Sequence, residues 1–194
     1  MGMMELVWFL IQILGKKDKY FMKLYHYAPK GNNVLQKGIL SFSKNLKADI
    51  NYYQKRSGFV THSEIVLWLE RCFEGRSRGI RCLVEPLKHT KRTKSIKVFI
   101  ENSELFEIDV LALKKDGLLE AVYVSPSVLE KEPENKNDEL LCQLSDLSEI
   151  DFSPNDYDVL DDEKGWRFAF IRYYLLVIKE GVIPPKYIKL VKKY

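Results

Sequence analysis

The stretch that decides the fold spans residues 23–44 and reads KLYHYAPKGNNVLQKGILSFSK. Its first half alternates and is rich in aromatic residues, which predicts a β-strand. A proline, a glycine and two asparagines then interrupt the pattern, and a short helix that stops near Gly38 follows. A second short strand is predicted over Ile39–Phe42. His26 therefore lies in the middle of a strand, just before a tight turn.

A polar imidazole in an apolar strand needs a physical reason, and the residues leave two alternatives open. Neighbouring backbone groups can satisfy both nitrogens of His26, which would make it a structural residue. Alternatively, the ring lines a groove and binds a ligand. Hydroxyl groups at Ser41 and Ser43 follow on and after the second predicted strand.

The composition describes an ordinary soluble globular protein, with 46% hydrophobic and 30% charged residues in 194. A net charge of +4 permits an anionic ligand but does not demand nucleic acid. The three cysteines have no paired spacing, which favours a reducing compartment. With three histidines far apart, no metal site is expected. We expect a cytoplasmic protein, or one delivered into a host or target cell.

The chain is expected to form one domain with two additions. Residues 1–21 contain an apolar run that is too short to cross a bilayer and lacks the features of a secretory signal. They are interpreted as an N-terminal helix or extension. Residues 22–194 then form a single α+β domain, and the acidic stretch at about 130–164 is predicted to be a surface insertion.

Capping and periodicity signals predict the remaining elements. Thr61 and Glu64 have the spacing of a capping box in front of an amphipathic helix. Asp109 is expected to cap a brief helix. The other predictions are strands over Gly79–Leu87, Ile96–Ile100, Leu105–Val110, Leu119–Ser125, Gly165–Ile178 and Tyr187–Val191, and a short helix near Glu139–Leu144.

The loop GRSRG, residues 75–79, places two arginines between glycines. Backbone amides and guanidinium groups in such a loop are suited to bind a phosphate. The alternative is a solvated turn between a helix and a strand. The sequence does not decide between them.

Both ends of the predicted domain resemble the ADP-ribosyltransferase superfamily. A strand ending in Tyr-His, a turn with a short helix, and Gly-Ile-Leu entering a second strand are similar to the opening of that fold. The segment LLVIKEGVIPPKYIKLV is similar to its end. The resemblance is to the branch of the poly(ADP-ribose) polymerases, the DNA-modifying toxins and the RNA 2′-phosphotransferases. It implies split antiparallel β-sheets with flanking short helices around a central cleft that binds NAD.

This resemblance implies roles for individual residues. His26 would hydrogen-bond the adenosine ribose, and the backbone at Tyr27 would hold the nicotinamide amide. Tyr123, or a tyrosine of the Tyr52-Tyr53 pair, would stack on the nicotinamide ring, since an aromatic face suits a planar cation. The reaction would displace nicotinamide through an oxocarbenium-like centre and transfer ADP-ribose to a macromolecule, in a bacterial toxin or effector. The implied residues are His26, Tyr123 and Arg172 for catalysis, and His26, Tyr27, Ser41, Ser43, Tyr53 and Tyr123 for NAD.

The chain departs from the family where the catalytic glutamate normally stands. Arg172 and two tyrosines occupy that place. Three alternatives follow: Glu70 or Glu120 supplies the carboxylate, Arg172 acts on a phosphate-bearing substrate, or the domain binds without catalysing. In the last case the protein is an inactive interaction domain for a protein or nucleic-acid partner, with the basic loop at residues 88–94 as its contact surface.

Overall fold

The computed structural model describes residues 23–46, 50, 54, 58–84, 86, 94–124, 142–144, 147 and 173–193. Within these residues the chain forms nine β-strands and four α-helices. The strands are β1 Lys23–Pro29, β2 Ile39–Leu40, β3 Gly79–Cys82, β4 Ser103–Asp109, β5 Leu119–Val124, β6 Cys142–Leu144, β7 Tyr174–Ile178, β8 Val182–Ile183 and β9 Ile188–Lys193. The helices are α1 Val34–Lys37, α2 His62–Cys72, α3 Lys94–Glu101 and α4 Val110–Lys115, with 3₁₀ turns at Arg76–Arg78 and Pro185–Tyr187.

Every strand pair among the described residues is antiparallel, and the strands form three sheets. Their orders are β1-β4-β9, β2-β8 and β3-β7-β5-β6. All five residues of β7 are buried, because this strand lies between β3 and β5 and is covered on both faces. The predicted α+β class with antiparallel sheets and flanking short helices is confirmed.

The first and third sheets meet at an isolated bridge between β1 and the residue after β3. Tyr25 and Leu83 exchange two backbone hydrogen bonds, each 2.7 Å long. Because successive side chains alternate between the faces of a strand, His26 shares its face with the buried residues Leu24 and Ala28. The bridge thus brings the His26 face of β1 beside β3.

Two helix starts follow the capping signals of the sequence. The Thr61 hydroxyl accepts from the Glu64 amide at 3.3 Å, and Glu64 accepts from the Thr61 amide at 3.0 Å. The carboxylate of Asp109 accepts from the Ala112 amide at 2.9 Å. Both predicted caps are confirmed.

Two predicted elements are wrong. Residues 96–100 lie in helix α3 rather than in a strand. Their β-branched residues alternate, but a short apolar run of this kind also has helical spacing, and periodicity alone does not separate the two. Residues 142–144 form strand β6 beside β5 rather than the end of a helix, since pairing in the sheet overrides the local preference.

The proposed N-terminal extension (1–21) and most of the proposed acidic insertion (130–164) lie outside the described residues. Within the part of the chain that the structure describes, no helix combines the length and apolar character needed to span a membrane.

Candidate functional site

A groove of about 230 Å³ opens between the first strand, the loop after β2 and strand β3. It is partly open to solvent. The described residues that line it are His26, Leu40, Ser41, Phe42, Asn45, Leu69, Arg76, Gly79, Ile80, Arg81 and Leu175.

His26 contributes an imidazole with one nitrogen already bound. Its Nδ1 lies 2.8 Å from the carbonyl oxygen of Arg81, so this nitrogen carries the proton and donates to the backbone. Burial lowers the pKa of His26 below its ordinary value of 6.5, and the bond to the carbonyl offsets part of that shift. The ring is therefore neutral at pH 7, and its Nε2 is a hydrogen-bond acceptor.

The two serines predicted to bind a ligand form a hydroxyl pair, and one of them lines the same groove as His26. The Oγ atoms of Ser41 and Ser43 are 3.1 Å apart, and Ser41 lines the groove. Its amide donates to the carbonyl of Gly181, and the Ser43 amide donates to the carbonyl of Ser77. These bonds attach the loop after β2 to two other segments of the chain.

The first three residues of the loop at 75–79 are buried and the other two are partly exposed, so the loop is a hydrogen-bonded segment rather than a solvated turn. The carboxylate of Glu70 accepts hydrogen bonds from the amides of Gly75, at 2.8 Å, and Ser77, at 2.9 Å, and also from the Ser77 hydroxyl. Burial raises the pKa of Glu70, but these donors and the charge of Arg78 outweigh it, so the pKa lies below its ordinary value. Glu70 is ionised and acts as the anchor of this loop.

Arg76, at the start of this loop, lies on the wall of the groove and is 8% exposed. Its guanidinium carbon is 5.3 Å from the centroid of the Phe73 ring. The Phe73 ring stacks in turn on Tyr123, with centroids 4.2 Å apart and an angle of 23° between the planes. The arginine and the two rings thus form a continuous stack that extends from the groove to β5.

Phe42 forms another part of the wall and is supported by His62. The two rings stack with centroids 4.7 Å apart, and Nε2 of His62 donates to the Phe42 carbonyl at 2.8 Å. His62 directly follows the helix cap at Thr61. The sequence contained no signal that His62 would contact Phe42, which lies 20 positions earlier.

The structure brings part of the predicted site together. His26 and Ser41 line the groove, and Ser43 contacts Ser41. Tyr27 is on the opposite face of β1, with its ring 5.7 Å from Phe99, and the Tyr123 ring is stacked on Phe73. The predicted roles of these two tyrosines stay predictions. The residues Tyr52, Tyr53 and Arg172, and the loop at 88–93, lie outside the described residues.

The glutamates proposed as substitutes for the missing carboxylate have other partners. Glu70 holds the loop at 75–79, and Glu120 forms an ion pair with Arg78. Neither belongs to the described residues that line the groove.

Arg76, Arg81, Phe42 and Asn45 are groove residues that sequence reasoning did not assign to the site. The glycine–arginine pattern of the loop was a signal for Arg76. Arg81 alternates with buried residues in β3, as any half-buried strand residue does, and carries no signal of its own.

No group of three or more histidine, cysteine, aspartate or glutamate residues in the described ranges is arranged to hold a metal ion. Comparisons of the chain with protein-family models, with curated proteins and with solved structures find no match.

Proposed function

We propose that the protein binds NAD in this groove and transfers ADP-ribose to a macromolecule, as an ADP-ribosyltransferase-like protein. The observation that carries the proposal is the position of His26 on the wall of a partly open groove. With Nδ1 held by the Arg81 carbonyl, the neutral ring has an acceptor at Nε2 that is suited to a sugar hydroxyl.

The geometry of β1 supports a role for the Tyr27 backbone in the same site. Backbone groups of successive strand residues point alternately to opposite edges. Those of Tyr25 point to Leu83, so those of Tyr27 point toward the same edge, on the β3 side and away from β4. A nicotinamide amide at that edge would lie next to a ribose bound by His26.

The size of the groove limits how much of the ligand it encloses. Its 230 Å³ is below the roughly 300–1,000 Å³ usual for pockets that bury a whole small molecule. The groove therefore holds one ribose with its neighbouring groups, and the rest of the dinucleotide extends along the surface.

Calorimetry with NAD, together with transfer of label from labelled NAD to proteins or nucleic acids of a cell extract, tests the proposal. The informative variant is His26→Asn, because its amide keeps an N–H donor near the position of Nδ1 and lacks the Nε2 acceptor. Tyr25→Phe is the matched control, since it alters a neighbouring side chain on the opposite face of the strand. We expect His26→Asn to abolish binding and transfer, and Tyr25→Phe to preserve both. Transfer that survives in His26→Asn would contradict the proposed site.

One observation favours a second candidate, a catalytically inactive domain that binds a protein or nucleic acid. The groove lining described above contains two arginines and no carboxylate to stabilise an oxocarbenium-like centre. This candidate predicts no heat with millimolar NAD and capture of a macromolecule from lysate. Capture that weakens as salt is raised would indicate a basic contact surface.

A further inference from the structure

Helix α2 contacts two segments of the groove wall, one near each end of the helix. At its start, Nε2 of His62 donates to the Phe42 carbonyl at 2.8 Å. Near its end, Glu70 accepts hydrogen bonds from the loop at 75–79. With a rise of about 1.5 Å per residue, the helix separates the two contacts by about 12 Å. Leu69 of the same helix lines the groove, so α2 is part of the groove as well as its support.

The wall segment at residues 41–43 is held at three successive positions. Ser41 and Ser43 donate their amides to carbonyl groups of two other segments of the chain. Between them, the carbonyl of Phe42 accepts the hydrogen bond from His62. This third bond comes from a side chain, so a substitution removes it while the two backbone bonds keep their donors and acceptors.

The imidazole ring of His62 also contacts the Phe42 side chain. The two rings stack with centroids 4.7 Å apart and an angle of 15° between their planes. Together the hydrogen bond and the stacking contact fix both the carbonyl and the ring of Phe42 relative to α2. The capping box of Thr61 and Glu64 fixes the backbone from which His62 reaches this segment. A side chain with a fixed origin and two contacts holds its neighbour more precisely than one with a single contact.

From these contacts we propose that His62 is a positioning residue of the groove, which holds Phe42, and with it the wall segment at 41–43, in the arrangement that binds the ligand. His62 is not among the described lining residues, so it acts through Phe42 rather than on the ligand. A wall that is held in place before the ligand arrives makes binding more favourable, because fewer groups have to be ordered. The inference deepens the proposed function and rests on it only for the identity of the ligand.

Backbone order parameters from ¹⁵N relaxation measure the holding of the wall on the full chain without a ligand. Residues 42–45 should be rigid in the wild type, with order parameters of about 0.85. In His62→Ala they should fall to about 0.6, while those of strand β7 stay unchanged. These parameters report local motion and do not depend on the free energy of unfolding, so they separate loosening of the wall from a general loss of stability.

Calorimetry with NAD measures the consequence for binding. We expect His62→Ala to weaken the affinity by about three- to tenfold, because the ligand then has to order the wall itself. In a transfer assay KM should rise by the same factor with kcat unchanged, since the wall contacts the ligand equally before and during the reaction. A residue that only stabilised the fold would lower the urea midpoint and leave the affinity of the folded molecules unchanged.

Two partial variants assign the effect to the two contacts. His62→Gln keeps an N–H donor near the position of Nε2 and lacks the ring, whereas His62→Phe keeps a ring and lacks the donor. Each should lose less affinity than His62→Ala. Ser63→Ala is the matched control, because it changes the next, exposed residue of α2 and should behave as the wild type. Circular dichroism checks folding, and if His62→Ala does not fold, the two partial variants are compared with the wild type instead.

The outcomes separate this inference from the proposed function. If the order parameters at 42–45 fall in His62→Ala and the wild type does not bind NAD, the positioning role stands and NAD is the wrong ligand. If NAD binds the wild type and His62→Ala equally well, the proposed function stands and the positioning role is overturned. Unchanged order parameters at 42–45, an equal loss of affinity in Ser63→Ala, or a fall in kcat with KM unchanged would also overturn it.

Discussion

Two turns of this protein each combine a glycine with a carboxylate, and they differ in how far these residues are buried. Each contains a glycine with positive φ, Gly75 at +82° and Gly117 at +68°. Each turn is also held by a carboxylate. Glu70, from helix α2, binds the first turn, and Asp116 belongs to the second turn itself. The first turn lies beside the groove, and the second joins α4 to β5.

The surroundings of the two turns are opposite. A Cβ atom added to Gly75 would lie 2.6 Å from Cγ1 of Val177, whereas one added to Gly117 would meet nothing within 4 Å. Glu70 accepts from backbone amides of a buried loop, while Asp116 accepts from the side chains of Lys186 and Tyr187 at an exposed position. The turn whose glycine packs closely against β7 is the one that contains the buried Arg76.

The largest difference is expected from replacing each glycine by alanine. Gly75→Ala combines an unfavourable left-handed conformation with a clash against β7, and should lower the free energy of unfolding by about 3 kcal/mol. Gly117→Ala has the conformational cost alone, about 1 kcal/mol. Urea unfolding of both variants measures the contrast. Equal losses would show that packing around Gly75 is unimportant.

The second-largest loss of stability is expected for Glu70→Ala. It leaves two amides and a hydroxyl of a buried loop without their acceptor, and we expect a loss of about 2 kcal/mol after allowing for partial solvent screening. Glu70→Gln, which keeps one oxygen acceptor, should lose less. Glu74→Ala removes an exposed neighbouring carboxylate and serves as the control in urea unfolding. If Glu70→Ala is no more harmful than Glu74→Ala, Glu70 does not anchor the loop.

Acid should affect the groove side of the molecule first. Because the pKa of folded His26 is below 6.5, the unfolded chain binds more protons as the pH falls below that value, and stability decreases. The pKa of Asp116 is lowered from its ordinary value of 3.8, so the stability that this carboxylate contributes is lost only at pH values below 3.8. The free energy of unfolding should therefore fall between pH 7 and about 5 in the wild type. It should change less over the same range in His26→Asn. Parallel slopes would contradict the assignment.

The smallest effect is expected at the exposed turn. Asp116→Asn keeps an oxygen acceptor for Tyr187 and loses an ion pair with Lys186 that is open to solvent, a kind of pair that contributes little. The midpoint temperature of thermal unfolding should barely change. A double-mutant cycle with Lys186→Gln isolates the pair, and a coupling as large as the effect of Glu70→Ala would contradict the contrast between the turns.

Local signals in the sequence predicted the elements whose stability is decided locally. The strand with His26, the capping box at Thr61 and the cap at Asp109 depend on residues within a few positions of each other. Helix α3 was predicted as a strand because its branched residues alternate, while the apolar residues at 96, 99 and 100 also have helical spacing.

The groove was harder to predict because distant residues form it. The contact between His26 and Arg81 spans 55 positions, and sheet pairing brings the two together. The arginines of the loop at 75–79 suggested a phosphate site. The position of the loop depends on hydrogen bonds to Glu70, which lies in the preceding helix. A turn that is rich in glycine and charge is ordinarily exposed, so its sequence alone does not reveal this anchor.

The bridge between Tyr25 and Leu83 has a consequence for how the protein matures. The groove takes residues from position 26 to position 175, and contacts at such separations form late because long loops must close first. A chain in which only one sheet has formed would have only part of the groove wall. The groove is therefore complete only when the strands from both ends of the chain have paired, and a chain truncated before residue 175 would lack part of its wall.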